Sequence, residues 1–226
     1  AVKVILDGTT DDEATIRFLR EIRNLGKLKH PGIVRVLAAG EYQGRPYFVM
    51  DYVPGRDLAR FLDECALLPE RDRLLTIVRT ITQIARAVAY AHGQGVIHRD
   101  LKLPNIMVGH EDDLPVILDF GIAKYTGDSS LTMAGRTPGT PSYRAPEQLD
   151  ERLKVRDELV DIWTIGVILY RCITGRMPFV GSDFVTVSLQ ILQREVEFPT
   201  MPDPGLARLV EPVIRDCLSK DPRRRP

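Results

Sequence analysis

The tract HRDLKLPN at residues 98–105, read together with DFG at 119–121 and APE at 145–147, decides how the rest of this chain is understood. The tract is polar and turn-rich. Two short apolar runs follow it, Ile106 to Val108 and Val116 to Leu118, and both read as strands. From Asp119 to Gln148 there is little periodicity and much Gly, Thr, Ser and Pro. An irregular stretch of about 30 residues inside a compact domain is uncommon and is more often functional than not.

Upstream of the tract, Leu74, Leu75, Val78, Ile81, Ala85, Val88 and Ala89 recur with helical spacing, which predicts a long helix over Leu74 to Ala91, closed by Gly93 and Gly95. Asp57 to Glu64 predicts a shorter one. Before Val53 the pattern changes. Ala1 to Leu6 is β-branched and apolar around Lys3 and reads as a strand. Thr10 and Glu13 have capping-box spacing and open a helix reaching about Lys29, stopped by His30 and Pro31. Phe18, Ile22 and Leu25 form its apolar stripe, and Glu21 lies on the edge of that stripe, where a carboxylate needs a partner. Ile33 to Ala38 and Pro46 to Tyr52 read as two strands joined by a turn containing Gly44, and Pro54 and Gly55 break the pattern. Downstream, Val160 to Thr174 is apolar on nearly all sides and reads as a buried central helix. Phe184 to Gln193 and Gly205 to Leu218 read as amphipathic helices. The chain thus divides near Val53 into a small strand-plus-helix part and a larger, mostly helical part. A cleft between two such units is a preferred ligand site.

Composition narrows the function classes. The 226 residues are 44% apolar, enough for a real core in one or two domains. Lys plus Arg number 31 and Asp plus Glu 31, and this zero balance argues against a dedicated nucleic-acid binder and against a disordered acidic tail. No run approaches about 18 consecutive apolar residues, so no membrane span is expected within the segment. Three widely spaced cysteines, Cys65, Cys172 and Cys217, read as buried thiols in a reducing compartment. The opening AVKVIL reads as the middle of a strand and DPRRRP stops without a cap, as in a piece of a longer chain. A cytoplasmic setting is expected for the segment, with a membrane anchor possible elsewhere in such a chain.

Four strings in order, AVKVI at 1–5, HRDLKLPN, DFG and APE, together with the wording PYFVMDYVPG and GTPSYRAPEQ, resemble the eukaryotic-type (Hanks-type) serine/threonine protein kinases, and bacterial members in particular. Any one of these strings recurs by chance; the ordered set in fitting contexts does not. The resemblance covers essentially the whole segment. It implies an α+β, bilobal, protein kinase-like fold. Residues 1–53 would be a truncated small β-rich lobe (third strand, helix C, two further strands and hinge), and 54–226 the helical lobe with catalytic loop and activation segment. The Gly-rich phosphate loop that relatives place before this strand is not within the segment. The implied reaction is transfer of the γ-phosphoryl group of ATP, with Mg²⁺, to Ser or Thr hydroxyls of proteins. Self-association for trans-autophosphorylation is implied as well; nucleic-acid and membrane partners are not.

Phosphoryl transfer leaves the protein mostly positioning and charge neutralisation. By the resemblance, Lys3 reaches the α- and β-phosphates and pairs with Glu21. Asp100 accepts the substrate hydroxyl proton, and Lys102 meets the γ-phosphate. Asn105 and Asp119 offer Mg²⁺ the hard oxygens it prefers. Met50 is the gatekeeper, backbone groups of Asp51 and Val53 hydrogen-bond adenine, Ala1 and Met107 sandwich it, and Asp57 meets the ribose. Arg99 receives a phosphate carried by the activation segment, for which Thr132 is the favoured site and Thr137 the second among Thr126, Ser129, Ser130, Thr132 and Thr137. Thr140 touches Asp100 and Lys102, as in Ser/Thr-specific kinases. Glu147 pairs with Arg225 as a structural link, Asp161 braces the catalytic-loop backbone, and His98 is a packed core histidine. One departure stands out: many relatives read K-P-x-N, whereas Leu103 and Pro104 give K-L-P-N here. Two rival classes are a nucleotide-binding scaffold of the pseudokinase kind, which the presence of all five polar residues disfavours, and a small-molecule kinase, which GTPSYRAPE disfavours.

Overall fold

A two-residue turn organises the first sheet. Gln43 and Gly44 both have positive φ, 51° and 73°, the geometry of the tight turns that match strand twist. They join β2 (Val36–Tyr42) to β3 (Arg45–Met50), and β1 (Val2–Val4) pairs on the other side of β3, giving the antiparallel order β1-β3-β2. Lys3 stands opposite Phe48, which is 1% exposed and packs with Ile22, Leu25 and Leu28. The computed structural model describes residues 1–4, 16, 22–120, 141–153, 156–200 and 204–226. Residues 22–25 are helical and give way to a turn at 26–27, sooner than the expected end near Lys29. The first of the two expected strands is displaced, beginning at Val36 rather than Ile33. Ile33 instead bridges Ile117, and Val34 N donates to Ile117 O at 3.0 Å, so this stretch ties to a second sheet.

That second sheet, β4 (Gly55–Asp57), β5 (Ile106–Gly109) and β6 (Pro115–Ile117), is antiparallel in the order of the sequence. The break expected at Pro54 and Gly55 is half right, since Gly55 opens a strand. A Cβ on Gly55 would stand 2.2 Å from Val108 O, so only glycine admits this pairing.

The helices follow the apolar periodicity. Asp57 caps α1 (Leu58–Cys65) by accepting from Arg60 N at 2.9 Å. Helix α2 (Glu70–Gly93) begins a turn before Leu74, with Glu70 and Asp72 at its positive end. A short α3 (Pro146–Leu149) precedes α4 (Glu158–Thr174), which Gly175 terminates at φ 73°. Asp183 caps α5 (Phe184–Gln193) through Thr186 N at 2.8 Å, and α6 (Pro204–Cys217) completes the set. The expected buried helix is the centre of the molecule: Trp163, Val167 and Ile168 are fully buried, and α4 packs on both α2 and α6. Gly166 permits the close approach to α6, since a Cβ there would lie 2.6 Å from Cys217 Cβ. All three cysteines are free. Burial pushes the Cys172 thiol up to about 12 and that of Cys217 up to about 11, so both are inert protonated groups. Among the described residues no helix is long and apolar enough to cross a membrane.

Candidate active site

Four elements deliver the polar residues. Strand β1 presents Lys3. The loop after α2 carries Asp100 and Lys102, and a single 3₁₀ turn, Leu103–Asn105, positions Asn105. Asp119 follows β6 at φ 57°, a left-handed conformation that aspartate tolerates better than most residues. The K-L-P-N departure is absorbed by that turn: Pro104 occupies its first half, where a missing N–H costs nothing, while Leu103 is buried.

Lys3 Nζ donates to Asp119 Oδ2 at 2.5 Å, across 116 positions of sequence. Lys102 Nζ donates to Asp100 Oδ2 at 2.7 Å. Asn105 Nδ2 donates to Asp100 O at 2.9 Å, and Leu118 N to Asn105 O at 2.8 Å. The loop holding Asp100 is thereby laced to the residue that precedes Asp119. Lys3, Asp100, Lys102, Asn105 and Asp119 are thus linked in two groups joined through the backbone of Asn105 and Leu118.

Asp161 lies under the loop with no solvent exposure. It accepts from His98 N at 2.8 Å and Arg99 N at 2.8 Å, and His92 Nε2 lies 2.8 Å from Oδ2. Arg99 sits at φ 66°, a backbone state that is costly for a side chain of this size. The buried carboxylate thus holds a strained backbone immediately before Asp100. His98 is a packed histidine, as expected: it is fully buried, its Nε2 meets Leu118 O at 2.8 Å, and its ring lies 4.8 Å from that of Phe120. Glu147 and Arg225 form a two-bond pair of 2.5 and 2.8 Å. Arg225 also donates to Leu159 O and Ser219 O and lies 5.1 Å over the Trp163 ring.

At the end of β3, Met50 N and O both bond to Ala1, and Asp51 N donates to Arg35 O at 3.0 Å. Among the described residues nothing takes the Asp51 carbonyl or the Val53 N–H, the two groups expected to meet adenine. Asp57 faces Met107 in register. The Asp57 carboxylate, expected at a ribose, already spends one oxygen capping α1.

Expectations for Glu21, Thr132, Thr137 and Thr140, and for Thr126, Ser129 and Ser130, lie outside the described residues. The described partner of Lys3 is Asp119. Arg99, expected to await a phosphate, donates to Asp157 Oδ2 at 2.8 Å. Sequence reasoning missed His92, Asp157 and Arg56. Apart from Glu64, eight positions from Arg56, their partners lie 53 to 69 positions away, and only the place of His92 in the last turn of a helix hinted at a polar contact.

A divalent cation fits the donors present. Asp119 Oδ1 is buried with no partner among the described residues, the situation of an oxygen that awaits a ligand. Asn105 spends its amide nitrogen on Asp100 and retains its carbonyl oxygen. No group of three or more His, Cys, Asp or Glu among the described residues could hold a metal alone. One carboxylate and one amide oxygen suit an ion whose remaining ligands are phosphate oxygens and water.

The model of the protein kinase domain matches residues 1–226. Serine/threonine-protein kinase pkn3 of Myxococcus xanthus is 39% identical over 236 residues, covering 100% of this chain and 42% of that protein. Serine/threonine-protein kinase PkaA of Streptomyces coelicolor is 39% identical over 234 residues, with 100% and 40% covered. Serine/threonine-protein kinase PrkC of Bacillus subtilis is 33% identical over 223 residues, with 98% and 33% covered. The chain therefore spans between a third and about two fifths of the length of these relatives. With the matched model running from end to end, the chain belongs to the protein kinase domain family.

Proposed function

We propose that this domain transfers the γ-phosphoryl group of ATP to Ser or Thr hydroxyls of proteins, between a small lobe, 1–53, and a helical lobe, 54–226. The family as a whole uses ATP and a divalent metal and acts on proteins. The observation that carries the reading is the lacing of Asp100, Lys102, Asn105 and Asp119 through Leu118, with Lys3 reaching Asp119 from the other sheet.

In this reading the open Asp51 carbonyl and Val53 N–H receive the adenine edge, beside Met50, with Ala1 and Met107 on its faces and Asp57 near the ribose. Lys3 neutralises the α- and β-phosphates, and Glu21 is its partner once nucleotide is bound. Asp119 Oδ1 and Asn105 Oδ1 hold Mg²⁺, which when bound offsets phosphate charge. The substrate hydroxyl oxygen forms a bond to the γ-phosphorus while the bond from that phosphorus to the β–γ bridging oxygen breaks and ADP leaves. Asp100 takes the hydroxyl proton on a carboxylate whose other oxygen is held by Lys102. Lys102 also offsets charge developing on the transferred group. Thr140 orients Asp100 and Lys102 toward a Ser or Thr hydroxyl. A second copy of the domain phosphorylates Thr132, with Thr137 next, and that phosphate takes Arg99 from Asp157. Mg-ATP as substrate and three free thiols, of which Cys65 and Cys217 are buried and Cys172 partly exposed, suit the cytoplasm.

The test is incorporation of labelled phosphate from Mg-ATP into a generic protein substrate by the full-length protein. Asp100→Asn should abolish transfer while leaving nucleotide binding intact. Transfer that persists in Asp100→Asn would remove Asp100 from the base role. Binding without transfer by the unaltered protein would favour the scaffold class.

A further inference from the structure

Beside the nucleotide-facing positions lies a largely covered cation that the reaction does not use. Arg56 belongs to β4, and its side chain is 12% exposed. Nη1 donates to Gly109 O at 3.2 Å, at the end of β5. Nη2 donates to Asp113 Oδ1 at 2.9 Å, in the turn between β5 and β6. Nε lies 2.5 Å from Glu64 Oε2 on α1, and the guanidinium stands 5.0 Å over the Phe61 ring of the same helix. One planar group thus joins a strand, a turn and a helix.

Such a group is needed because β4 is only three residues long. Arg56 pairs with Val108, which sets Asp57 opposite Met107 and Gly55 opposite Gly109. A slip of one residue in an antiparallel pair sends every side chain to the opposite face. Three residues offer few ladder bonds to oppose it. The turn at the far end is itself held in a demanding shape. Asp113 has φ 51°, and its carboxylate is the one that Arg56 grips. Lysine could supply the charge but not the fork that reaches Gly109 O and Asp113 together.

We propose that Arg56 is a positioning residue for the nucleotide, locking the β4–β5 register that places Asp57 and Met107 side by side under the purine and ribose. This rests on the reading of Asp57 and Met107 given above. Arg56 touches no reacting atom, so its loss should appear in nucleotide affinity and not in turnover.

The experiment uses the full-length protein with Arg56→Met, Arg56→Lys and Asp113→Asn, in the presence of Mg²⁺ and well below the melting transition. Equilibrium binding of a fluorescent ATP analogue and steady-state kcat and KM for ATP are measured, with a melting curve for each variant. Arg56→Met should raise both Kd and KM about ten-fold with kcat within about two-fold of the parent, the split expected when only binding is lost. Arg56→Lys should recover part of the affinity, and Asp113→Asn should lose about three-fold, since the amide oxygen still accepts from Nη2 but the charge assistance is gone. Unchanged affinity in all three variants, even with lowered melting, would make Arg56 a stabilising residue only and overturn the proposal. So would a fall in kcat at constant KM. If Arg56→Met does not fold, the other two variants decide. An unaltered protein that binds the analogue but transfers no phosphate would refute the phosphotransfer reading and leave this one to the Kd ratios; one that binds none would refute both.

Discussion

Replacing Arg225 by methionine should cost more stability than any surface change in this chain. The Arg225 side chain is 0% exposed and that of Glu147 is 4% exposed. The substitution strands the Glu147 carboxylate without a counter-ion and also removes the donors to Leu159 O and Ser219 O. Breaking a buried pair from one side costs about 3–5 kcal/mol because the remaining charge stays desolvated. That is a large share of the roughly 5–15 kcal/mol that separates a folded domain from its unfolded state. With a urea slope of about 2 kcal/mol per molar, the midpoint should fall by roughly 1.5–2.5 M. The chain carries its own reporter, a single tryptophan, Trp163, directly beneath the guanidinium. Urea titrations followed by its fluorescence are therefore the assay. Adding Glu147→Gln to Arg225→Met removes the stranded charge, so the double variant should be more stable than Arg225→Met alone. A midpoint shift under about 0.5 M for Arg225→Met, or a double variant worse than the single, would refute the argument that desolvated charge dominates here.

Three further perturbations test other parts of the structure. Asp161→Ala leaves the His98 and Arg99 amides buried without an acceptor, at about 1–3 kcal/mol each, and should relax the loop before Asp100. Steady-state kinetics should then show kcat reduced about a hundred-fold with a far smaller change in the KM for ATP. Lys220 lies 4.1 Å over the Phe179 ring, and burial lowers its pKa to about 8 from 10.5. Because the folded state gives up this proton before the unfolded chain does, Lys220 adds stability as the pH rises from about 8 toward 10.5, while above about pH 9 the raised thiols of Cys172 and Cys217 act in the opposite direction. Lys220→Met should remove its gain in urea titrations at successive pH values; an unchanged slope would place the titration elsewhere. Gly55→Ala introduces a Cβ 2.2 Å from Val108 O, so β4 must separate from β5. Amide hydrogen exchange should report lost protection at Val108 and at His110, whose N–H donates to Pro54 O, and retained protection would contradict the close approach.

The elements most legible in the sequence were those whose periodicity is set by one large interior. Helix α5 begins and ends where its apolar spacing does, and the all-round apolar character of 160–174 marked α4 as central. Short elements were less legible. Strand β4 is three residues long, begins after a proline and is held by a side chain, so no alternation could announce it. Ile33 has a strand-like sequence but bonds to the other sheet, a tertiary choice invisible to local pattern. In the candidate site, Lys102 and Asn105 were singled out through the family resemblance of the continuous HRDLKLPN string, and the fold brings both onto Asp100. His92, Asp157 and Arg56 went unread because the partners that tie them across the fold, Asp161, Arg99, Gly109 and Asp113, are distant in sequence. Arg99 shows both sides: its identity announced an anion partner, and only the fold shows Asp157 in that place.

Asp161 grows from the most deeply buried helix, yet its carboxylate ends beside the residue proposed to receive a proton. Interior and chemistry are thereby soldered together at one atom pair. The working end of the loop borrows the durability of the hydrocarbon beneath it, and warming should silence this protein when its centre melts, not in a separate step beforehand.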